Sequence, residues 1–229
     1  MDSGNIGFVL LCAAFVFVMT PGLAMFYGGL VRKKNVVNTM MTSIFIIGIG
    51  IVMWVLFGYS LSFAPSGNAF IGDFRWLGLE GVSLTEGYTD DASIPNMVFS
   101  AFQMMFAVIT PALITGAVAG RMKFKSIFVF TIFWSLIVYY PLAHMVWGQG
   151  GLLGADGIGA LDFAGGDVVH ISSGVSALVL CILLGKRHDY EHSIYRIHNI
   201  PTVVLGASLL MFGWFGFNAL SLIHISEPT

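Results

Sequence analysis

The chain has 229 residues and a formal net charge of −2; apolar residues make up 57% of it, whereas Asp, Glu, Lys and Arg together make up 10%. Soluble domains carry about 25% charged residues, and a globule with so few of them would expose large apolar patches to water. The composition therefore excludes a soluble enzyme, a nucleic-acid-binding protein and a disordered chain, and it indicates an integral membrane protein.

The charged residues divide the sequence into long apolar stretches. Six windows contain no Asp, Glu, Lys or Arg, and each is close to or longer than the roughly 20 residues that an α-helix needs to cross a bilayer. Strands of a membrane barrel would be about ten residues long with alternating polarity, which these windows do not show. The sequence therefore predicts six transmembrane helices, at residues 5–31, 37–62, 94–119, 126–146, 163–184 and 200–219.

Lys and Arg residues mark one side of this bundle. Nine of the ten fall in the loops after the first, third and fifth predicted helices, and the other loops hold only Arg75 among several acidic residues. Cytoplasmic loops are enriched in Lys and Arg. The distribution predicts that these three loops are cytoplasmic and that the N-terminus lies outside. For the acidic outer loop, residues 64–93, we favour a solvated connector over a weak attractor for cations, because salt screens such fields over about 8 Å.

Proline and glycine shape the predicted helices. Pro21 and Pro111 fall inside the first and third helices, where a kink frees a backbone carbonyl. The chain also contains 28 glycines, many of them within the spans. Small residues let helix backbones approach closely in lipid, so we expect a tightly packed bundle.

Ionisable residues in the fifth predicted helix are candidates for function, because burying a charge in a membrane costs about 2.5 kcal/mol or more. Asp162 could cap the helix by accepting backbone N–H groups, and it could at the same time support a cation site. His170 follows eight residues later, about 12 Å deeper along the helix, where it could serve an apolar conduit or be a structural histidine. We interpret His144 as interfacial or structural, and Asp167 as facing water.

Other residue types give weaker signals. The loop before the sixth predicted helix contains His188, His192 and His198. Their spacing is irregular and no Cys accompanies them, so we expect no metal site and no cofactor. Phe106 and Phe217 lie mid-helix among 20 phenylalanines, and Trp147 lies where an aromatic belt is expected; the pattern alone favours ordinary packing for all three.

Five local motifs follow one another along these spans. They are MTPGLAMFYGGLVRKKNV (19–36), AFQMMFAVITPALITGAVAGRMKF (101–124), PLAHMVWG (141–148), GALDFAGGDVVHIS (159–172) and GWFGFNA (213–219). In sequence and order they closely resemble the Amt/Mep/Rh ammonium transporter family, from about residue 5 to Ala219. Five separate motifs over six spans make the resemblance highly specific.

The resemblance implies an all-α membrane fold in which two five-helix inverted repeats enclose one pore, followed by an eleventh helix. Residues 1–219 would supply the first repeat and most of helix six. The resemblance also implies a homotrimer in the cell inner (plasma) membrane, ammonium or ammonia as substrate, and a PII-type signalling protein as a partner of the full-length protein.

Carried over position by position, the resemblance also assigns site residues. Phe106 and Phe217 would be a stacked aromatic gate, Asp162 would order the site from beneath, and His170 would be the first of two pore histidines. Gln103 sits beside the gate in the matching motif, with no separate role. The outer cation site would be lined by Trp147, Phe106 and Phe102.

The resemblance implies that ammonium is held outside and loses a proton, after which ammonia crosses the pore. Whether the proton crosses separately is left open by the sequence. An alternative function is an ammonium sensor that signals through a fused cytoplasmic domain, which these residues alone do not distinguish. A membrane enzyme using Asp162 and His170 is disfavoured because no nucleophile or metal set accompanies them, so we expect no enzymatic activity.

The last ten residues, 220–229, differ from the rest. They resemble the in-frame translation of a sequencing adapter, and we expect the native sequence to end near Ala219. Because one repeat cannot close a pore formed between two, we expect the chain by itself not to transport.

Overall fold

The spans form a helical bundle in the computed structural model, which describes residues 1–65, 68–89, 92–154, 157–187, 190 and 195–221. All regular secondary structure among these residues is helical, and six helical segments are long and apolar enough to cross a membrane. The prediction of an all-α membrane fold with six spans is confirmed. The α-helices are α1 (Ser3–Leu30), α2 (Val36–Met53), α3 (Tyr59–Phe63), α4 (Asn96–Val118), α5 (Phe124–Trp134), α6 (Tyr140–Trp147), α7 (Ser172–Leu184) and α8 (Ile200–Ser221).

Three of the described spans contain a π-helical segment. Trp54–Gly58 joins α2 to α3, Ser135–Tyr139 joins α5 to α6, and Gly166–Ile171 leads into α7. A π-turn changes which face of the helix the following side chains occupy, and such turns are frequent at functional sites. In the fourth span, the consecutive residues Tyr139 and Tyr140 are each only 1% exposed.

The closest helix pair is α1 against α8, which run antiparallel along a seam of glycines. A Cβ atom added to Gly206 would lie 2.3 Å from the backbone nitrogen of Phe26, and one added to Gly216 would lie 2.7 Å from the carbonyl oxygen of Cys12. No side chain larger than hydrogen fits at these positions without displacing backbone. Because hydrophobic forces do not hold helices together in lipid, this close van der Waals packing is what joins α8 to α1.

The outer loop between α3 and α4 packs tightly on the bundle, in contrast to the solvated connector that the sequence favoured. The rings of Tyr59 and Trp76 stack at 5.4 Å, and those of Tyr88 and Phe99 stack at 4.9 Å. The Tyr88 hydroxyl accepts a hydrogen bond of 3.1 Å from the backbone nitrogen of Gln149, and burial raises the pKa of Tyr88 to about 12. The loop therefore covers the outer end of the bundle, although its carboxylates at positions 80 and 86 are exposed.

His144 lies inside the protein, at 0% exposure, and connects α6 to the outer loop. Its Nδ1 atom lies 3.1 Å from the carbonyl oxygen of Ser62, and its Nε2 atom lies 2.8 Å from that of Asn68. Of the two roles expected from the sequence, the structure therefore shows the structural one.

The ends of the last two spans differ slightly from the predictions. The fifth begins at Gly166, three residues later than predicted, because Gly165 adopts a left-handed conformation with φ of 76°. The sixth continues through Ser221, two residues beyond the predicted end. The rest of the segment expected to be foreign, residues 222–229, lies outside the described residues.

We predict that Gly206→Ala and Gly48→Ala change stability in opposite directions. Both glycines are helical, and alanine favours a helix by up to about 1 kcal/mol. A Cβ at Gly48 would meet nothing within 4 Å, so this variant should be slightly stabilised. At Gly206 the Cβ overlaps the backbone of α1, and overpacking costs about 1–3 kcal/mol. Thermal unfolding in detergent, followed by circular dichroism, measures both; equal shifts would show that the seam is not tightly packed.

Candidate functional site

Four aromatic side chains predicted for the site come together in the outer half of the bundle. The Phe106 ring on α4 lies 4.6 Å from the Phe217 ring on α8, measured between centroids. It also lies 4.9 Å from the Phe102 ring and 6.1 Å from the Trp147 ring, both in edge-to-face geometry. Phe106 is therefore the central ring of a continuous aromatic cluster contributed by α4, α6 and α8.

Exposure falls from the outer end of this cluster inwards. Trp147, the last residue of α6, is half-buried, whereas Phe102, Phe106 and Phe217 are 5%, 2% and 1% exposed. Aromatic pairs with centroids 4.5–7 Å apart are in van der Waals contact. The rings of Phe106 and Phe217 therefore leave no passage between them in this conformation.

Asp162 caps the start of the fifth span. Its carboxylate accepts hydrogen bonds from the backbone nitrogens of Gly166, Asp167 and Val168, at 2.7, 2.8 and 3.0 Å. Three N–H groups at a helix start satisfy this partly exposed carboxylate and carry the positive end of the helix dipole. The capping role that the sequence allowed for Asp162 is thus present.

The same residue holds Trp147 through its backbone. The indole Nε1–H of Trp147 donates a hydrogen bond of 2.9 Å to the carbonyl oxygen of Asp162. A half-buried indole needs such a partner for its N–H. The cap at the fifth span and the outermost aromatic residue of the cluster are therefore one connected unit.

His170 lies next to the aromatic pair on its inner side. Its ring centroid is 6.0 Å from that of Phe217, with 35° between the ring planes. Both rings line a cavity of about 280 Å³ between α1, α4, α8 and the π-helical segment Gly166–Ile171. The cavity is mainly apolar, and its residues include Leu23, Tyr27 and Trp214.

The surroundings of His170 differ in one respect from the dry conduit that the sequence suggested. The side chain of His170 is exposed in the part of the chain that the structure describes. The ring lies beside that of Phe217, and the residues that the structure describes enclose it only in part.

Some residues near the site carried no usable signal in the sequence. Tyr27 lines the cavity and donates its hydroxyl proton to the carbonyl oxygen of Leu113 at 2.9 Å. Trp214 is one of five tryptophans in the chain and lies in an apolar helix, so neither composition nor spacing distinguishes it. The Oε1 atom of Gln103 is buried and has no hydrogen-bond partner among the described residues.

The histidines of the inner loop do not form a centre in the part of the chain that the structure describes. His188 and His192 lie outside the described residues, and the backbone nitrogen of His198 donates to the carbonyl oxygen of Gly29 at 3.1 Å. Among the residues described, no three His, Cys, Asp or Glu side chains are grouped so that they could hold a metal ion.

Comparison with known proteins gives one consistent result. A family profile described as Ammonium Transporter Family matches residues 7–228. An ammonium transporter of Bacillus subtilis is 53% identical over 218 residues, which cover 95% of this chain and 52% of the relative. An ammonium transporter of Aquifex aeolicus is 44% identical and covers 99% of this chain and 52% of the relative. The chain spans about half the length of the curated relatives it matches.

Solved structures agree with these relatives. The crystal structure of Saccharomyces cerevisiae Mep2 superposes with a TM-score of 0.86 at 37% identity, covering 96% of this chain and 49% of that protein. A sensor Amt protein superposes with a TM-score of 0.80 at 31% identity, covering 95% of this chain and 54% of that protein. The curated relatives named here are transporters and not enzymes.

We predict that Asp162→Ala destabilises the chain by about 2 kcal/mol, because three backbone N–H groups lose a charged acceptor. Asp167→Ala is the matched control, because Asp167 contributes its backbone nitrogen to the cap and alanine keeps that nitrogen. Thermal unfolding in detergent measures the loss, and tryptophan emission reports the loosening of Trp147. A loss of equal size in Asp167→Ala would contradict the capping role.

Proposed function

The chain belongs to the ammonium transporter family, and from that premise we propose that the full protein moves ammonium or ammonia across a membrane, with residues 1–219 forming half of the pore. The proposal rests on the order of the side chains at the site. Trp147 lies nearest the outer end, the contacting rings of Phe106 and Phe217 follow, and the cavity beside His170 comes last.

The outer part of the site suits a small cation. The aromatic faces of Trp147, Phe106 and Phe102 attract a cation by about 0.5–2 kcal/mol. The carboxylate of Asp162 is occupied by backbone N–H groups, so it orders the site and does not bind the cation directly. Potassium is similar in size, so selection of ammonium requires hydrogen-bond acceptors that use its N–H protons.

The inner part of the site suits a neutral molecule. A charge in an apolar conduit costs about 2.5 kcal/mol or more, whereas ammonia carries none. In this proposal ammonium gives a proton to water at the outer site, and ammonia passes when the rings of Phe106 and Phe217 separate. The imidazole of His170 then offers a hydrogen-bond donor or acceptor in the otherwise apolar cavity.

The topology and assembly of the full protein belong to the same proposal. The distribution of Lys and Arg supports a multi-pass protein with its N-terminus outside. The family resemblance supports the plasma membrane as its location, a homotrimer, and a PII-type partner for the full-length protein.

A second function, ammonium sensing, is favoured by one specific observation. The chain superposes on a sensor Amt protein with a TM-score of 0.80. A sensor and a transporter share the site described above and differ in what the binding step drives. Recovery of the gene with its downstream sequence separates the two: a fused signalling domain would support the sensor.

We predict that a chimera of residues 1–219 with the remaining half of the Bacillus subtilis relative takes up labelled methylammonium, while the chain alone does not. Within the chimera, His170→Ala should lower uptake at least about tenfold, because the cavity loses its polar group. Trp147→Leu should raise the half-saturating concentration by about 3- to 30-fold, as expected from the loss of a cation–π contact.

The matched control is Phe133→Leu, because this phenylalanine on α5 is 58% exposed at the surface of the bundle. Its uptake should equal that of the unchanged chimera. Normal uptake in both His170→Ala and Trp147→Leu would remove the site assignments while leaving the fold intact.

A further inference from the structure

Two tryptophans of the fourth span donate hydrogen bonds to the chain on either side of one π-helical segment. Trp147, at the end of α6, donates to the carbonyl oxygen of Asp162, which precedes the segment Gly166–Ile171. Trp134, the last residue of α5, donates a hydrogen bond of 2.8 Å to Oγ of Ser176 on α7, which follows the segment. The fourth span is therefore bonded to the chain both before and after this segment.

The Ser176 hydroxyl uses both of its hydrogen-bonding roles. It accepts the indole proton of Trp134, which is 5% exposed, and it donates its own proton to the carbonyl oxygen of Ser172 at 2.7 Å. The hydroxyl of Ser172 donates in turn to the carbonyl oxygen of Val168, inside the π-helical segment. The backbone nitrogen of Val168 donates to the carboxylate of Asp162 at 3.0 Å. Hydrogen bonds thus connect Trp134 with the cap through the π-helical segment.

The π geometry of this segment sets the position of His170. The backbone nitrogen of His170 donates to the carbonyl oxygen of Gly165, five residues earlier, at 3.0 Å. An α-helix would use the carbonyl of Gly166, four residues earlier, and each of its residues turns the chain by about 100°. If this turn took up α geometry, the imidazole would rotate by about that angle relative to the cap. It would then leave its place beside Phe217, whose ring centroid lies 6.0 Å from its own.

The same change of geometry would move Ser176. This residue follows the segment on the same helix, so its hydroxyl would rotate by about the same angle and lose the indole of Trp134. The hydrogen bond between the two side chains therefore stabilises the π geometry relative to the α geometry.

We propose that Trp134 and Ser176 are positioning residues for His170, because their hydrogen bond holds the π-turn that places the imidazole beside Phe217. The inference rests on the proposed function, in which His170 serves the cavity. Neither positioning residue lines that cavity. Both act through the backbone of the fifth span.

The first test uses the transporting chimera. Trp134→Phe and Ser176→Ala should each lower the maximal uptake rate per folded protein by about 3- to 10-fold, the scale of one hydrogen bond. The half-saturating concentration should stay within about twofold, because the outer aromatic residues are unchanged. The double variant should be no slower than either single one, because both break the same bond. Ser176→Thr keeps a hydroxyl that can bond to the carbonyl four residues earlier, and should restore the rate to within about twofold.

Each variant has a matched control that should leave the rate unchanged. Trp54→Phe removes another buried indole N–H, 1% exposed, which hydrogen-bonds to Ser100 on α4. Ser208→Ala removes a hydroxyl that donates to the carbonyl four residues earlier, as the hydroxyl of Ser176 does. A rate for Trp134→Phe or Ser176→Ala equal to that of its control would overturn the inference. So would a Ser176→Thr variant as slow as Ser176→Ala.

The second test needs no transport and uses the chain itself in detergent micelles, with 4-fluorophenylalanine at position 217 alone. Replacing His170 by alanine should move the ¹⁹F resonance, because the neighbouring imidazole ring is removed. In the Trp134→Phe and Ser176→Ala backgrounds this displacement should shrink, whereas in Trp54→Phe and Ser176→Thr it should persist.

Equal displacements in all four backgrounds would overturn the inference, and so would the absence of any displacement in the unchanged chain. If the unchanged chimera takes up no methylammonium, the proposed function fails. The spectra then still decide whether Trp134 and Ser176 position His170.

Discussion

The first N–H groups of a helix have no partner within the helix, and the way Asp162 satisfies them organises one end of this molecule. Three backbone N–H groups at the start of the fifth span satisfy its side chain. Its own carbonyl accepts the indole proton of Trp147. These bonds connect the start of the fifth span to the end of α6, so the outermost aromatic ring of the site is held against the cap.

Packing without polar groups supplies the other half of the arrangement. Phe217 reaches Phe106 because α8 lies close against α1, and α8 lies close because glycines such as Gly206 and Gly216 leave room for the facing backbone. The aromatic cluster thus has two supports of different kinds. A hydrogen bond joins α6 to the start of the fifth span on one side, and van der Waals contact holds α8 on the other.

The sequence predicted the spans well because its signal is local. Charge-free windows of helical length leave few alternatives in a bilayer, and the six spans lie where these windows do. The identity of the site residues is a different matter. Nothing in spacing separates Phe106 or Phe217 from eighteen other phenylalanines, so both were assigned through the family motifs.

Features that depend on tertiary contact were not predictable from the sequence. The π-segments leave no compositional trace, since one extra residue in a turn does not alter hydropathy. The outer loop was expected to be a solvated connector because salt screens the field of its acidic residues, yet the rings of Trp76 and Tyr88 pack it against α3 and α4. The exposure of His170 depends on which surfaces face it in space, and helix periodicity does not contain that information.

The glycine seam has a mechanical consequence. Contacts between backbone and apolar atoms have little directional preference, so one helix can rotate slightly about its axis without breaking a hydrogen bond. Because Phe217 is on α8 and Phe106 is on α4, such a rotation would change the contact between the two rings without any change in α4.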